Sequence, residues 1–183
     1  MVFPAKEIRL KDGRTAIFRS PLPSDAEAAL EYMKITAGET PYLLRTPEEI
    51  RLTVADEEKF LSRFPDNPNS TMILCFVEGK LAGNCQIDRR TKLKNRHRAS
   101  VAIALRKEFW NLGIGTALFE EMLAIAESWG VLQVELEVIE GNDRAMALYR
   151  KMGFEIVGHV PNAIRLPDGT FWKEYRMIKV LKK

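Results

Sequence analysis

The sequence has few cysteines, little net charge and no long apolar run. Only two of its 183 residues are cysteines, Cys75 and Cys85, and they lack the paired spacing of a metal site. The formal net charge of +3 is too small to indicate nucleic-acid binding. No apolar run approaches the roughly 20 residues that span a membrane, and the first residues lack an apolar signal core. We therefore expect a cytoplasmic protein that binds neither membranes nor nucleic acid and holds no metal.

The composition is that of an ordinary globular protein. Hydrophobic residues make up 46% of the chain and charged residues 29%, both within the usual range for folded domains. The length is enough for one sizeable hydrophobic core. The sequence contains no internal repeat and no low-complexity linker, so we expect a single domain over residues 1–183.

The first third of the chain predicts short strands followed by helices. Residues 6–20 predict two strands around Asp12-Gly13, because Asp-Gly is a strong signal for a two-residue hairpin turn. Ser24 is predicted to cap a helix. The Thr-Pro-Glu-Glu stretch that starts at Thr46 predicts a second helix, which we expect to run to about Arg63.

A second hairpin is predicted where hydrophobic residues begin to recur at every second position, as they do in a strand. Residues 71–88 predict two strands joined by a two-residue Glu-Gly turn. The register that this turn implies puts Cys75 opposite Ala82 and, further along, Cys85 opposite Met72. Because the two thiols do not face each other in this register, we expect no disulfide.

The C-terminal half alternates strands with helices, and this order is typical of an α/β fold in which helices cover the faces of a mixed sheet. Periodicity and turn residues predict, in order, a buried strand at 99–105, a helix at 113–129, a strand at 132–138, a helix at 142–152, a strand at 155–160 and, after a loop containing Pro167-Asp168-Gly169, a strand at 171–181.

Two glycines lie in FWNLGIGTALF, residues 109–119, between a predicted strand and a predicted helix. A helix that begins at Gly113 leaves its first amide hydrogens without intrahelical partners, and its dipole is positive at that end. Gly113 and Gly115 have no side chains, so a ligand can approach the backbone closely. These features predict an anion site that suits a phosphate or a pyrophosphate.

Several interpretations of the two glycines compete. The P-loop needs a Gly-Lys-Ser/Thr sequence that is not present, and the dinucleotide fingerprint needs a small residue where Leu118 stands. Two interpretations remain: the acyl-CoA-binding loop of acetyltransferases, or two glycines that only pack at a helix start. The glycines alone do not decide between them.

A second motif favours the acetyltransferase interpretation. The loop reads Trp110-Asn111-Leu112-Gly113-Ile114-Gly115, and a following helix carries, at fixed spacing, Asn142, Ala145, Leu148, Tyr149, Gly153 and Phe154. The stretch from Val101 to Phe154 thereby resembles the GNAT family of N-acetyltransferases, which has an Arg/Gln-x-x-Gly-x-Gly/Ala loop and then an Asn-x-x-Ala-x-x-Leu-Tyr-x-x-x-Gly-Phe helix. With the flanking strands, the resemblance covers about Arg14 to Met177. Trp110 departs from the family's Arg or Gln, so any side-chain contact to phosphate from that position is missing.

The resemblance implies a mostly antiparallel twisted sheet flanked by helices, with an acetyl-CoA-binding core at 99–154 and a variable helical segment on the acceptor side at 24–70. Acetyl-CoA is the implied co-substrate. In this family the backbone of the strand before the loop pairs with pantetheine, which here points to Ile103, Ala104 and Leu105, with an amide near Leu105 as the oxyanion donor. The implied contacts to pyrophosphate and to the rest of the cofactor come from Trp110, Asn111, Leu112, Gly113, Ile114, Gly115, Thr116, Asn142 and Tyr149.

The resemblance also suggests catalytic residues. Tyr149 matches the family's tyrosine that protonates the departing CoA thiolate, and a buried packing tyrosine is the alternative. Ser100 stands near the place where many relatives have a carboxylate base. We take Glu137 as the base, although a place on an exposed strand face without a catalytic role is the more common interpretation of such a residue, both for it and for Glu135. The other candidate bases are Asp88 and His97.

The implied reaction moves an acetyl group to the primary amine of a small molecule, such as an amino acid or a polyamine. The tail RLPDGTFWKEYRM resembles the end of small-molecule acetyltransferases. The candidate residues for the acceptor pocket are Tyr32, Tyr42, Glu174 and Tyr175. The alternatives are acetylation of a protein N-terminus or lysine, and a non-catalytic CoA-binding regulatory module. The basic stretch 89–98 predicts a solvated loop, with nucleic-acid binding as its alternative, and a homodimer is possible.

Overall fold

The computed structural model describes residues 1–181. Its strands and α-helices are β1 (Lys6–Arg9), β2 (Thr15–Arg19), α1 (Ala26–Glu39), α2 (Val54–Leu61), β3 (Ser70–Val77), β4 (Lys80–Arg89), β5 (Arg98–Leu105), α3 (Ile114–Ser128), β6 (Gln133–Ile139), α4 (Asp143–Lys151), β7 (Glu155–Arg165) and β8 (Phe171–Val180). Short 3-10 turns occur at Pro23–Asp25, Pro47–Glu49 and Lys107–Phe109.

The strands form one sheet in the order β1-β2-β3-β4-β5-β6-β8-β7. The pairings of β1 with β2, β2 with β3, β3 with β4, β6 with β8 and β7 with β8 are antiparallel, whereas β5 pairs with β6 in parallel. The predicted fold class, a mixed and mostly antiparallel α/β sheet with flanking helices, is confirmed. In the part of the chain described, no helix combines the length and the apolar character needed to cross a membrane.

The chain divides into two compact units. The first comprises residues 1–88 and 102–122, and the second comprises residues 89–101 and those from 123 onward. The first unit therefore holds β1 to β4, α1, α2, the end of β5 and the start of α3. The second holds the start of β5, the end of α3, β6, α4, β7 and β8.

The core of the first unit lies where α1 and α2 cover the middle of the sheet. Its buried members come from both helices, from the turn after α2 and from strands β3 and β4: Ala26, Ala29, Tyr32, Leu61, Phe64, Met72, Leu74 and Leu81. Burial of this much apolar surface is the main driving force for folding. It also fixes α1, and with it the Tyr32 side chain, against the sheet.

The start of α1 differs from the prediction. A 3-10 turn precedes the helix, and Ser24 is exposed inside that turn rather than at the cap. Asp25 stands at the N-cap position of α1 but makes no side-chain capping bond: its carboxylate accepts a hydrogen bond from Leu22 N at 2.7 Å and two from the Arg19 guanidinium at 2.6 Å. The predicted cap at Ser24 is therefore wrong, and the bonds from Arg19 to the Asp25 carboxylate that hold this turn depend on tertiary structure.

The predicted helix from Thr46 to about Arg63 is wrong in its first half. Residues 47–49 form only one 3-10 turn, which Glu49 closes by accepting a hydrogen bond from Thr46 N at 2.9 Å. The chain then leaves the helical conformation at Ile50, whose side chain is buried. A second cap starts α2, where Thr53 Oγ1 accepts from Asp56 N at 3.2 Å. Two good caps in succession split the segment in two.

The first hairpin forms with a longer turn than predicted. Arg9 pairs with Thr15, and Leu10 N donates to Arg14 O at 2.8 Å. Of the Asp12-Gly13 pair only Gly13 has a positive φ, of 90°. A two-residue hairpin turn of the Asp-Gly type needs positive φ at both positions, so the chain makes a three-residue connection instead.

The second hairpin has the predicted Glu-Gly turn but not the predicted register. Val77 pairs with Lys80, as expected, and a β-bulge after Cys75 then shifts the pairing by one residue. Cys75 lies opposite Gly83 rather than Ala82, and Cys85 lies opposite Ile73 rather than Met72. Both thiols are free and buried. A bulge leaves no signal in the alternation of side chains, and this explains the error.

The second unit follows the prediction more closely. Val134, Leu136 and Val138 of β6 are buried, as their alternation indicated. The predicted loop around Asp168 joins β7 to β8, and residues 90–97 form the predicted loop between β4 and β5. The strand predicted at 155–160 continues to Arg165, and β7, at one edge of the sheet, is exposed over its first eight residues.

Gly83 in β4 is predicted to tolerate no side chain. A Cβ atom there would lie 2.1 Å from Leu105 Cδ2 and 2.8 Å from the Ala104 carbonyl oxygen. Gly83→Ala should lower the free energy of unfolding in urea by about 1–3 kcal/mol, as overpacking does. Gly158→Ala is the matched control, because a Cβ at that strand glycine meets nothing within 4 Å. Equal stability of the two variants would contradict the close approach of β5 to Gly83.

Candidate active site

The glycine loop lies between the 3-10 turn at Lys107–Phe109 and helix α3. Asn111 and Gly113 have positive φ angles of 66° and 94°, so the chain bends sharply just before the helix. The first intrahelical bond runs from Ala117 N to Gly113 O at 3.1 Å, and the amides of Ile114 and Gly115 precede it. A Cβ on Gly113 would meet only the Lys11 side chain, at 3.9 Å, so this face of the loop is open to a ligand.

Trp110 has a structural contact at the position where it departs from the family pattern. Its indole Nε1 donates a hydrogen bond to Leu105 O at 2.9 Å. This bond ties the glycine loop to the end of β5, so the indole N–H is used within the protein. Because a tryptophan side chain is uncharged, the first position of the loop supplies no positive charge.

Lys11 is a cation beside the loop that the sequence did not reveal. Its backbone N donates to Leu112 O at 3.2 Å, and its Cγ and Cε atoms each lie 3.9 Å from the Cβ position of Gly113. Lys11 is exposed and belongs to the turn between β1 and β2. A single lysine in a hairpin turn carries no sequence signal, because its position depends on a contact across about 100 residues of chain.

The end of β5 is more exposed than its beginning. Ala99 and Val101 are buried, but Ile103, Ala104 and Leu105 are only half-buried. The prediction of a buried strand throughout 99–105 is therefore wrong for its second half. These three residues are therefore partly accessible to solvent.

Hydrogen bonds at the end of β5 show in which directions its backbone N–H and C=O groups point. Arg106 N donates to Ala82 O at 2.9 Å, toward β4. Because backbone groups alternate between the two edges of a strand, the Leu105 amide points to the opposite edge. The Ala104 carbonyl lies 2.7 Å from the Tyr32 hydroxyl. Tyr32 is thus a buried partner of the backbone, and its contact with the acceptor stays a prediction.

The predicted cofactor and catalytic residues of α4 lie in the second unit. Asn142 caps the helix, and its Oδ1 accepts a hydrogen bond from Ala145 N at 3.3 Å. Tyr149 is 7% exposed and packs against Phe154, with their ring centroids 6.3 Å apart. Tyr149 therefore has the environment of a packing tyrosine, and its role as an acid remains a prediction.

The two glutamates of β6 have different environments. Glu135 is buried and forms a two-pronged ion pair with Arg98, whose Nη2 lies 2.7 Å from Glu135 Oε2. The exposed position considered for Glu135 is therefore wrong. Its hydrogen bonds to Arg98 hold the pKa of the Glu135 carboxyl below its ordinary value. A carboxylate with a lowered pKa is a poor base.

Glu137, two residues further along β6, is exposed and lies 3.6 Å from the Arg176 guanidinium. Glu174 on β8 is half-buried, and burial followed by repulsion from Glu137 raises the pKa of its carboxyl. The pairing of β6 with β8 puts both side chains on one face of the sheet, since Glu137 pairs with Arg176 and Glu174 is two residues before Arg176. The second unit thus presents two neighbouring carboxylates, and Glu174 has the raised pKa.

The remaining candidates have varied surroundings. Asp88 is engaged with the Ser70 hydroxyl at 2.5 Å and Gln86 Nε2 at 2.8 Å. His97 is exposed in the loop before β5, and Tyr42 is half-buried. Tyr175 packs beside His159 and lines an open cavity of about 240 Å³ together with Asn142 and other residues of the second unit.

Substitution of Glu135 tests how much its ion pair with Arg98 stabilises the fold. Glu135→Gln should lower the free energy of unfolding at pH 7 by about 1–2 kcal/mol, toward the low end for charged hydrogen bonds because Arg98 is partly exposed. The folded-state pKa of Glu135 is below its ordinary value of 4.5, so its contribution is complete above that value and is lost as the pH falls through the folded-state pKa. The difference between wild type and variant should therefore shrink below about pH 4.

Urea unfolding at several pH values measures this effect. Glu137→Gln is the control, because that side chain is exposed and its ion pair is long, so a change below about 0.5 kcal/mol is expected. A Glu135→Gln difference that stays constant from pH 7 to pH 3 would show that the carboxylate charge is not what stabilises the fold.

Comparison with known proteins agrees with this geometry. Residues 39–154 match the model of the acetyltransferase (GNAT) family. An L-amino acid N-acetyltransferase of Escherichia coli is 29% identical over 119 residues, which cover 64% of this chain and 73% of that protein.

Comparison with solved structures also finds acetyltransferases with the same fold. A GNAT-family acetyltransferase of Streptococcus pneumoniae is 29% identical with a TM-score of 0.85, over 91% of this chain and 99% of that one. An acetyltransferase of Salmonella typhimurium, solved with its cofactor acetyl-CoA, has the same fold at 13% identity and a TM-score of 0.77, over 91% and 94% of the chains. The family model spans most of the chain, and the glycine loop and the α4 motif lie inside the matched region. The protein is therefore an acyltransferase that belongs to the GNAT family of acetyltransferases.

Proposed function

We propose that this protein transfers an acetyl group from acetyl-CoA directly to the primary amine of a small molecule, and that the acceptor is an amino acid or a similar amine. The glycine loop is the observation that carries the proposal, because its open face at Gly113 and the first amides of α3 suit a pyrophosphate. The acceptor class is suggested by the Escherichia coli relative, which is named as an L-amino acid N-acetyltransferase.

The proposed cofactor contacts divide between backbone and side chains. The amides of residues 111–116 bind the pyrophosphate, and the half-buried backbone of Ile103 to Leu105 pairs with the pantetheine arm. Lys11 adds a positive charge beside Gly113, where the loop's own first residue is an uncharged tryptophan. Trp110 contributes by anchoring the loop to Leu105. Asn142, which caps α4, contacts the pantetheine arm from the second motif.

The proposed chemistry uses three groups of the protein. The Leu105 amide donates a hydrogen bond to the thioester oxygen as it becomes an oxyanion, and one such donor contributes roughly 3–4 kcal/mol to transition-state stability. Glu137 takes the proton that the acceptor ammonium must lose before its nitrogen can attack. Tyr149 donates a proton to the thiolate that leaves. The acetyl group passes to the amine in one step, with no covalent enzyme intermediate.

Glu174 is the competing base. Burial and the nearby charge of Glu137 raise the pKa of the Glu174 carboxyl, whereas Glu137 is the more exposed of the two side chains. Burial that raises a carboxyl pKa is a common feature of catalytic bases. Loss of the acidic limb of the kcat/KM profile in Glu137→Gln but not in Glu174→Gln would support Glu137, and the reverse would assign the role to Glu174.

Cofactor binding is the first test. Titration calorimetry should give micromolar affinity for both acetyl-CoA and CoA, and Gly113→Glu should reduce it at least a hundredfold by adding bulk and negative charge to the phosphate site. Gly130→Glu is the matched control, since Gly130 also has a positive φ, of 67°, with nothing within 4 Å of its Cβ position. Unchanged affinity of Gly113→Glu would remove the loop from the site.

The acceptor is identified by the release of free CoA thiol over a panel of amino acids, polyamines and peptides. Turnover with free amino acids supports the proposal. Turnover only with peptides would instead indicate a protein N-terminus or a lysine as the acceptor. Cofactor binding without any turnover would indicate a non-catalytic module.

Tyr149→Phe tests the proposed acid. The variant should lower kcat by about tenfold to a thousandfold, because the thiolate must then leave unprotonated, and it should leave the calorimetric affinity for acetyl-CoA within about twofold. A parallel loss of affinity and of melting temperature would instead mean that the tyrosine serves packing against Phe154.

A further inference from the structure

We propose that Tyr32 is a positioning residue for the reaction: its buried hydroxyl holds the Ala104 carbonyl and thereby orients and polarises the Leu105 amide, the oxyanion donor. The inference rests on the proposed function, since it assigns the support of a donor in that mechanism. All the residues involved belong to the first unit. No feature of the sequence indicates this contact, because Tyr32 and Ala104 are 72 residues apart.

The hydroxyl lies between two polar groups. Tyr32 is 4% exposed, and its Oη lies 2.7 Å from Ala104 O and 3.1 Å from Asn84 Oδ1. A tyrosine hydroxyl has one proton to donate, and the shorter contact marks Ala104 O as the acceptor. Because that proton is used, we assign the Asn84 amide in the flipped orientation, in which its NH2 group rather than Oδ1 faces Oη and donates to it. With this assignment the chain of hydrogen bonds runs from Asn84 to Tyr32 to Ala104.

The geometry of a peptide unit connects this contact to Leu105. The Ala104 carbonyl and the Leu105 N–H belong to the same planar trans peptide group, so they point in opposite directions. A bond that fixes the carbonyl therefore fixes the direction of the N–H. Donation to the carbonyl also polarises the amide, and hydrogen bonds in such chains strengthen one another.

The next peptide unit is held as well. Trp110 Nε1 donates to Leu105 O, and Arg106 N donates to Ala82 O, both at 2.9 Å. Gly83 allows the close approach of this segment to β4, since a Cβ there would lie 2.8 Å from Ala104 O. The peptide groups before and after the Leu105 Cα are thus both anchored. Of these hydrogen bonds, only the one from the Tyr32 hydroxyl is made to the peptide group that contains the Leu105 N–H.

The hydroxyl keeps its proton under working conditions. Burial raises the pKa of Tyr32 well above its ordinary value of 10.0. Tyr32 therefore remains a donor at every pH at which the enzyme operates. It contributes no limb to the pH profile, and this separates its effect from that of Tyr149 or a carboxylate base.

Tyr32→Phe is the direct test, in the full-length protein with acetyl-CoA and the best amine from the panel. The variant should lower kcat by about 10- to 100-fold, less than or equal to the loss of a complete oxyanion donor. The KM for acetyl-CoA should stay within about twofold, and the pH values of both limbs of the kcat profile should not move. Asn84→Leu, which removes the first link of the chain, should lower kcat by a few-fold and serves if Tyr32→Phe does not fold.

Thr36→Val is the matched control. Thr36 lies one turn further along α1, is 4% exposed, and donates its hydroxyl to Tyr32 O at 2.9 Å, with Met33 O at 3.1 Å. The variant also removes one buried hydroxyl from α1 but leaves Ala104 untouched. It should lower the melting temperature with kcat unchanged.

Three results would overturn the inference while the proposed function stands: a wild-type kcat in Tyr32→Phe, or in Asn84→Leu where that variant is used; an increase in the KM for the amine alone, which would make Tyr32 an acceptor contact; or equal kcat losses in Tyr32→Phe and Thr36→Val. A wild-type protein that neither binds acetyl-CoA nor turns over any amine would overturn the proposed function itself, and the inference with it.

Discussion

Hydrogen bonds to the backbone at the end of β5 are the constraint on which the candidate site depends. The Tyr32 hydroxyl, the Trp110 indole and the Ala82 carbonyl each bond one group of residues 104–106. Unpaired backbone groups are costly when buried, and only one of these three bonds, from Arg106 N to Ala82 O, comes from the neighbouring strand β4. Side chains from α1 and from the glycine loop satisfy the other two groups, and the bond from Trp110 connects the end of β5 to the glycine loop.

The glycine loop shows how charge can come from a distant part of the chain. Its first position is Trp110, which is neutral and engaged with Leu105. The nearby cation is Lys11, which the β1–β2 turn places beside Gly113 through a backbone bond from Lys11 N to Leu112 O. A phosphate responds to the local field and not to the position of the cation in the sequence. At this departure from the family pattern, the Lys11 side chain lies beside the loop and the Trp110 indole has a structural contact.

The environment of each carboxylate in the second unit separates residues of the same type. Glu135 and Glu137 are two residues apart on β6, but Glu135 is buried against Arg98 and has a lowered pKa, whereas Glu137 is exposed. Glu174 has a raised pKa because it is partly buried near Glu137. Proton affinity depends on desolvation and on neighbouring charge, and neither quantity can be obtained from the spacing of glutamates along a strand.

The sequence by itself determined the order of most strands and helices, the α/β class and the position of the glycine loop and of the Tyr149 helix, because these depend on local periodicity, caps and turn residues. Tertiary structure alone decided the bulge after Cys75, the bonds of the Asp25 carboxylate to Arg19 and Leu22 N, the burial of Glu135, and the contacts of Tyr32 and Lys11. Each of these depends on a partner far away in the chain or on a shift in strand register. Such contacts are set by the packing of the whole core, and a local pattern of residues does not contain them.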